Sequence, residues 1–340
     1  MNTRILFSVI IVIYLTVLFT TSASASASDI FVPENYTTIQ QAVDNADPGD
    51  TVIVEDGTYN ENVEVNKRLT VKSRNGTENC VIRAENSDIH VFRITADHVN
   101  ITGFSATGTT RFEKAGIYLE ARNCNISNNN VYDNKVGIFL SNASINNINK
   151  NTVSQSAFAT LIRYSNSNIF ANNTFSDSQY GVTIRYSQNN ILFHNQVLGN
   201  NYGIYISFSK VNTVYLNDFV NNNKIILSRS TNSWNTTESI PYNYQNKSLE
   251  GYMGNYWHDY EGTDENGDGI GDVPHGKVGS TNVLMEPFEN YSVKSDLPTR
   301  IPTPIPTTSG IQIPGFEAMI AACGLLLATL TIYLRKERKE

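Results

Sequence analysis

The chain is short of charge, and the charge that it carries is mostly acidic. Only 17% of its 340 residues are Asp, Glu, Lys or Arg. Residues 29–314 contain 20 basic and 29 acidic side chains, which gives a net charge of about −9 and repels other polyanions. Nucleic acids and anionic membrane surfaces are therefore disfavoured as partners of this region.

Cysteine is also scarce. Of the three cysteines, Cys323 lies close to the C-terminus, which leaves Cys80 and Cys124. These two could pair outside the cell or pack as small apolar side chains. A disulfide needs Cα atoms within about 7 Å of each other, a distance that sequence does not give. Both alternatives stay open at this point.

The central region lacks the apolar spacing of an amphipathic helix. Residues 116–224 instead repeat with a period close to 22. One asparagine recurs in every repeat, and the residue two positions after it is always apolar. The recurring asparagines, spaced by 22 throughout, are Asn129, Asn151, Asn173, Asn195 and Asn217.

A period in this range is typical of a solenoid, in which each coil buries its apolar side against its neighbours. The segments are short, β-branched and bounded by Gly, Asn and Ser, as at 181–184 and 203–206. Parallel strands stack at about 4.8 Å per coil, so equivalent residues lie above one another. The sequence therefore predicts an all-β fold, a single-stranded right-handed parallel β-helix, with the repeated asparagines in a hydrogen-bonded ladder.

The first coil needs a cap, because an open coil exposes apolar side chains and strand edges to water. Residues 37–50 (TTIQQAVDNADPGD) predict a short helix that begins after Thr37 or Thr38 and stops at Pro48 and Gly49. Its apolar face consists of Ile39, Ala42, Val43 and Ala46. We predict an N-terminal cap at 29–50 and the β-helix at 51–230.

The last coil needs a cap too. After residue 227 the repeat fails and aromatic residues become frequent. A C-terminal cap is therefore predicted at 231–297. Its aromatic residues are Trp234, Tyr242, Tyr244, Tyr252, Tyr256, Trp257 and Tyr260.

Both termini have the layout of processing signals. The N-terminus is typical of a secretory signal peptide, because Arg4 is followed by the apolar run 5–19 and the small-residue tract TTSASASAS. The predicted signal peptide is 1–28, and the alternative is a retained signal anchor. A Thr/Pro-rich linker at 298–314 precedes an apolar segment at 318–334 and the basic cluster RKERK. This arrangement predicts an exported domain held at the cell surface, by a transmembrane segment or by a lipid after processing.

Two resemblances follow from quoted motifs. The tail 315–340, with its preceding spacer and the tripeptide Pro314-Gly315-Phe316, resembles the PGF-CTERM sorting signal of archaeal surface proteins. The chain also resembles the NosD-like β-helix family, in its archaeal surface-protein branch. The resemblance extends from the opening VPENYTTIQQAVDNADPGDTVIVEDGTYNENV through the coils to the ending GNYWHDYEGTDENGDGIGDVPH and LMEPF. The second resemblance implies a parallel β-helix, and the family is named for a periplasmic copper-binding protein.

Copper is not predicted for this chain. Copper sites gather imidazole, thiolate or thioether ligands, and the histidines fall in no ligand spacing. They are His90, His98, His194, His258 and His275, of which His258 and His275 share the cap. A copper-related maturation protein is therefore the least favoured alternative.

Calcium is the predicted metal. Residues 264–272 match D-x-N-x-D-G-x-x-D, which supplies oxygen ligands at alternate loop positions. The match ends at position 12, where an EF-hand has glutamate and this chain has His275. A metal-free turn held by Asx hydrogen bonds is the alternative. The candidate ligands are Asp264, Asn266, Asp268, the carbonyl of Ile270, and Asp272.

A second candidate site lies on the coils. Arg163-Tyr164 and Arg185-Tyr186 are 22 residues apart, and Phe208 continues the aromatic positions. Stacked arginines repel each other unless an anionic or a stacking group lies between or beside them. The pattern indicates either an exposed stack with splayed guanidinium groups or a groove for an acidic glycan, in which the aromatics form a platform and the arginines hold carboxylates.

Potential N-glycosylation sequons agree with export but also arise by chance in an Asn-rich chain. They are Asn35, Asn75, Asn100, Asn125, Asn142, Asn172, Asn235, Asn246 and Asn290.

The sequence thus predicts a surface-anchored module that contacts an envelope glycan or a surface-layer protein. The alternative is a polysaccharide lyase or epimerase on the same scaffold. Acidic residues in the regular coils are few and scattered along the chain, at Glu120, Asp133, Asp177 and Asp218.

Overall fold

The computed structural model describes residues 27–228, 231–276 and 282–293. They form a parallel β-helix of about nine coils, so the predicted fold class is confirmed. The predicted signal peptide (except its last two residues), linker and sorting signal lie outside the described residues. Among the residues described, no helix is long and apolar enough to span a membrane.

Three parallel sheets form the walls of the β-helix. Sheet 1 contains Asp29–Val32, Thr51–Val54, Thr70–Ser73, Asn100–Thr102, Asn125–Ser127, Asn147–Asn149, Ile169–Ala171, Ile191–Phe193, Lys210–Tyr215 and Thr231–Ser233. Sheet 2 contains Val63–Val65, Phe92–Ile94, Ala115–Leu119, Val136–Ser141, Phe158–Arg163, Tyr180–Arg185, Tyr202–Ser207 and Lys224–Ser228. Sheet 3 contains Gly57–Asn60, Cys80–Arg83, Ser105–Thr107, Asn130–Tyr132, Thr152–Ser154, Thr174–Ser176, Gln196–Leu198, Asp218–Val220 and Tyr256–Trp257.

In the central coils, from about residue 125 to 220, the 22-residue repeat is the register of these sheets. In sheet 3, for example, Val131 pairs with Val153, and Val153 pairs with Phe175. Their side chains point inward and are fully buried. Each coil therefore places its apolar residues directly on those of the coil before it, which builds one continuous core.

The predicted asparagine ladder is present and buried. The side-chain amide of Asn151 donates to the carbonyl of Ile126 (2.9 Å) and to Oδ1 of Asn173 (3.0 Å), and the same Oδ1 accepts from the backbone N–H of Asn151 (3.0 Å). Each asparagine thus satisfies backbone groups at a corner, where strand pairing stops.

A second ladder occupies another corner, and it was not predicted. It begins at Cys124, whose backbone N–H donates to Oδ1 of Asn146 (2.8 Å). It continues through Asn146, Asn168, Asn190, Asn212 and Asn232.

Cys80 and Cys124 are both buried free thiols, and burial raises the pKa of each to about 12. Of the two alternatives, packing as small apolar side chains is the one observed.

The N-terminal cap is the helix Ile39–Asn45. The hydroxyl of Thr38 accepts from the backbone N–H of Gln41 (3.1 Å), so Thr38 is the N-cap. Glu61 also binds the N-terminus of this helix, accepting from the N–H groups of Ile39 and Gln40 at 3.0 Å each. The predicted apolar face is buried.

The GNYW sequence in the C-terminal cap forms part of a coil. Asn255 accepts from the backbone N–H of Asn217 (3.1 Å) and extends the predicted ladder. Trp257 pairs with Phe219 and stacks on its ring, with centroids 4.1 Å apart. The chain reaches this coil after an antiparallel hairpin, formed by the strands Ile240–Tyr244 and Lys247–Gly251, to which Ser292–Val293 also pairs.

Candidate functional site

The aromatic residues predicted for the coils form an exposed stack at one corner. We call Tyr164, Tyr186 and Phe208 the corner ladder. The centroids of successive rings are 5.0 and 5.1 Å apart, with interplanar angles of 14° and 16°. The exposed fraction is 52% for Tyr164, 40% for Tyr186 and 43% for Phe208. The rings thus form a continuous apolar strip along the β-helix.

The backbone fixes this strip in place. Tyr164, Tyr186 and Phe208 have φ of 51°, 52° and 50°, a left-handed conformation that turns the chain out of sheet 2. Behind each ring, a serine ladder holds the corner: the N–H of Ser165 donates to Oγ of Ser187 (3.0 Å), and the N–H of Ser187 donates to Oγ of Ser209 (3.1 Å).

The two arginines beside the corner ladder are in register but differ in environment. Arg163 forms two hydrogen bonds with the carboxylate of Glu113, one through Nη1 and one through Nη2 (3.2 Å). Its guanidinium carbon lies 5.0 Å from the ring centroid of Phe139. The hydrogen bonds from Arg163 hold the pKa of Glu113 below its usual range. Glu113 thus neutralises the charge of Arg163, which lessens the repulsion between the two stacked arginines.

Arg185 is the exposed member of the pair. Its guanidinium carbon lies 5.9 Å from the ring centroid of Tyr186. Arg185 is therefore positioned beside the corner ladder, whereas Arg163 is held by Glu113.

A shallow groove runs along the far end of the corner ladder. Aromatic rings form one wall, serines the floor, and an amide and an ammonium group the other wall. The lining residues are Tyr186, Ser187, Gln188, Phe208, Ser209 and Lys210. This combination of apolar rings and hydrogen-bonding groups matches the amphipathic surface of a sugar chain.

A second aromatic row lies at the opposite end of the sheet 2 strands, and sequence reasoning missed it. Phe158, Tyr180 and Tyr202 stack at 4.7 and 4.6 Å with interplanar angles of 9°. Nζ of Lys224 lies 5.4 Å from the ring centroid of Tyr202. Their spacing of 22 residues was the available signal.

The acidic residues of the coils do not gather in one groove. Asp133 and Asp177 are exposed at left-handed corners that follow sheet 3. Asp218 is buried and accepts from the backbone N–H of Phe288 (2.9 Å), and burial raises its pKa to about 7. Glu120 lies 4.0 Å from Arg93 on sheet 2.

The cluster around Arg93 joins two carboxylates on sheet 2. Arg93 pairs with Glu64 as well as with Glu120, and the hydroxyl of Tyr118 donates to Glu120 (3.3 Å). The charged side chains are 42–48% exposed. They have the character of a surface salt-bridge network.

The Asp-Gly loop is held by its own side chains. Asp264 accepts through Oδ1 from the N–H of Gly267 (2.8 Å) and through Oδ2 from that of Gly269 (2.8 Å). Oδ1 of Asp268 accepts from the N–H of Ile270, and Oδ2 of Asp272 accepts from that of Glu265. Asn266 accepts from the N–H of Asp268 (2.9 Å).

The histidines are dispersed. His275 is buried against Trp257, with ring centroids 5.1 Å apart, and its Nε2 lies 3.1 Å from Asp259. His258 is exposed. Burial lowers the pKa of His90 and of His194 to about 4. Within the described ranges, no three His, Cys, Asp or Glu side chains are grouped as they would be around a metal ion.

The sequons differ in accessibility. The side chain of Asn100 donates to Thr70, and that of Asn125 accepts from Asn147 and Asn149, so both are engaged on sheet 1. Asn235 is partly buried. The exposed sequon asparagines are Asn35, Asn75, Asn142, Asn172, Asn246 and Asn290.

Comparison with known proteins supports the sequence resemblances. Residues 43–262 match the family described as "Periplasmic copper-binding protein (NosD)", and residues 313–336 match the PGF-CTERM motif. A "Cell surface glycoprotein" from Methanothermus fervidus is 36% identical over 113 residues, which are 32% of this chain and 18% of that protein. The chain thus spans about a fifth of the length of that relative.

Solved structures are similar at a lower level. Pectate lyase Pel9A has a TM-score of 0.47 at 12% identity, covering 60% of this chain and 68% of that one. Tailspike protein 2 from Escherichia coli O157:H7 bacteriophage CAB120 has a TM-score of 0.45 at 16% identity, covering 62% and 38%. These likenesses carry no argument about activity.

The PGF-CTERM motif is a sorting and anchoring signal of exported proteins, so the chain is directed to the cell surface and held there. The family model covers more than half of the chain. The chain belongs to the NosD family of parallel β-helix proteins.

Proposed function

We propose that this protein is a non-enzymatic, glycan-contacting module of the cell envelope. Its export and anchoring and the name of its Methanothermus relative support an envelope role. The observation that carries glycan contact is the exposed corner ladder with the groove beside it. Arg185 and Lys210 add positive charge along this strip, which favours an acidic glycan.

The test uses protein made without N-glycosylation and measures its retention on an immobilised acidic polysaccharide. We expect Tyr186→Asn and Arg185→Ala each to weaken retention several-fold, because each removes one element of the binding strip. Asparagine is chosen for position 186 because it tolerates the left-handed backbone. Tyr252→Ala, which removes an exposed aromatic residue of the cap, is the control and should leave retention unchanged. Equal retention by all variants would contradict the proposal.

The alternative function, a carbohydrate-active enzyme, would centre on the Arg93 cluster, where two carboxylates and a tyrosine hydroxyl meet. Lyase and hydrolase assays on acidic polysaccharides test it. Product formation that is lost in Glu120→Gln would replace the non-enzymatic proposal.

We further propose that Ca²⁺ stabilises the Asp-Gly loop. The support is the D-x-N-x-D-G-x-x-D pattern and the loop's closure around Asp264. Carboxylate and carbonyl oxygens are the ligands that Ca²⁺ prefers. The loop's Asx hydrogen bonds are the competing explanation of its order.

Calorimetry and thermal melting separate these two explanations. We expect Ca²⁺ to bind and to raise the melting temperature, and Asp268→Asn to abolish both effects. Asparagine keeps an oxygen that can accept from Ile270, so the melting temperature in chelator should change little. Absence of binding in the unsubstituted protein would leave the metal-free turn. Copper is not proposed for this loop, because copper sites use imidazole, thiolate or thioether ligands and residues 264–272 offer only oxygen ligands.

A further inference from the structure

We propose that Asn142 carries an N-linked glycan and that this glycan packs along the corner ladder. The inference rests on the proposed function, since it names the glycan that the ladder contacts as one attached to the same chain.

The first observation is register. Asn142 occupies the same corner as the ladder residues, one coil earlier. Its φ is 54°, beside 51° for Tyr164 and 52° for Tyr186. The N–H groups of these three residues donate to equivalent carbonyls of the next coil, at 3.2 Å each. The attachment atom of the glycan therefore lies at the head of the aromatic strip, about 4.8 Å from the first ring position.

The second observation is accessibility. Asn142 is exposed, and its carboxamide makes no hydrogen bond to any described residue. The side chain of Asn125, by contrast, is engaged by two neighbouring asparagines. Of these two central sequons, Asn142 is the one whose amide nitrogen is free for modification.

The third observation is that the two ends of the sequon are in line with the two walls of the groove: Asn142 with the aromatic row and Ser144 with the polar row. Ser144 lies in the row that continues through Asn166, Gln188 and Lys210, as the pairing of Gln188 with Lys210 and the bond from the N–H of Ile145 to the carbonyl of Asn166 show. A chain attached at Asn142 and extending along the axis thus meets aromatic rings on one side and polar groups on the other. Sugars offer C–H faces to rings and hydroxyl groups to amides and ammonium groups.

The length of the strip sets the kind of glycan. From Asn142 to Phe208 there are three coil steps, or roughly 14 Å. A short oligosaccharide fits this length, and an acidic sugar at its distal end suits Lys210. Tethering gives the attached chain a high effective concentration at the rings, so it occupies them ahead of free polymer.

The experiment compares chemical labelling of tyrosines in the full glycosylated chain, made in a glycosylating archaeal host. Glycopeptide mass spectrometry first measures the occupancy of Asn142. Ser144→Ala then removes the sequon but keeps Asn142, and Thr174→Ala is the matched control that removes the sequon of the exposed Asn172 at a different corner. We expect nitration of Tyr164 to rise several-fold in Ser144→Ala, with a smaller rise at Tyr186, and to be unchanged in Thr174→Ala.

Three results would overturn the inference: an unmodified Asn142, a modified Asn142 with unchanged labelling in Ser144→Ala, or an equal rise in both variants. None of them bears on binding of external glycan by unglycosylated protein, so failure of the inference and failure of the proposed function are distinguishable.

Discussion

Three polar side chains have pKa values shifted far from their ordinary ones, namely Asp218, His90 and His194. Asp218 faces out of sheet 3 but is covered by the cap segment around Phe288. Burial raises its pKa from 3.8 to about 7, because the charged form is poorly solvated there. His90 and His194 act in the opposite direction, since burial lowers the pKa of each to about 4.

The direction in which folding stability changes with pH follows from the difference between a group's pKa in the folded and in the unfolded state. A carboxyl group whose pKa is raised on folding favours the folded state most below about pH 3.8, and this contribution is lost as the pH rises to about 7. A histidine whose pKa is lowered on folding loses its contribution as the pH falls from about 6.5 towards 4. The carboxyl and histidine contributions to stability change over overlapping pH ranges in the wild-type protein, so a substitution is needed to separate them.

Asp218→Asn isolates the carboxyl contribution. Asparagine keeps an acceptor for the N–H of Phe288 and cannot ionise, so we expect it to stabilise the protein at pH 8 by a few kcal/mol and only slightly at pH 4, given about 1.4 kcal/mol per pKa unit. The histidine contribution cancels between the two proteins. Thermal melting at both pH values is the measurement, and an equal shift at both would contradict a buried ionisable Asp218.

At the scale of elements, the ladders replace the strand pairing that the corners lack. Asn173 illustrates the arrangement: its amide donates to the carbonyl of Ile148 (2.8 Å), and its Oδ1 accepts from the N–H of Asn151 (3.0 Å). Both backbone groups are buried, and a buried backbone group without a partner is costly.

Asn173→Ala should therefore destabilise the protein by about 2–5 kcal/mol, because two buried backbone groups each lose a partner. Asn130→Ala is the matched control: its side chain lies on the outer face of sheet 3 and makes one long bond of 3.4 Å to Ser105. Its cost should stay below about 1 kcal/mol. Chemical denaturation measures both, and similar losses would show that the ladder adds no stability of its own.

Periodicity decides which elements sequence can predict. The central coils, the first ladder and the stacked aromatics at the corner recur at 22 residues and were predicted. The second ladder and the row led by Phe158 recur equally, so their signal was present but unused. Glu113 could not be found, because it lies outside the repeat and contacts Arg163 50 residues away. Asn255 was hidden because 38 residues, not 22, separate it from Asn217.

At the scale of the whole molecule, the two caps close a stack in which each strand of the three sheets pairs with strands of the adjacent coils. Trp257 is a fully buried ring at the C-terminal end of the interior, where it lies on Phe219 and is covered by His275. Since coupling in a solenoid is between adjacent coils, damage at this end should remain local.

Trp257→Ala tests this locality. Loss of a buried tryptophan costs about 3–5 kcal/mol, and we expect amide hydrogen exchange to accelerate in residues 202–228, which lie next to Trp257 in the stack, while residues 125–154 keep their protection. Tyr252→Ala, an exposed substitution in the same cap, should leave both regions unchanged. Faster exchange along the entire β-helix would instead indicate one cooperative unit.

The in-register ladders also have an evolutionary consequence. A segment of 22 residues carries its own asparagines, corner residues and inward apolar residues, and its ladder asparagine bonds to the equivalent asparagines of the coils before and after it. Duplication of one such segment inside the gene would lengthen the protein by about 4.8 Å and leave both caps intact. Chain length in this lineage can thus change by whole coils, one duplication at a time, without a new fold having to arise.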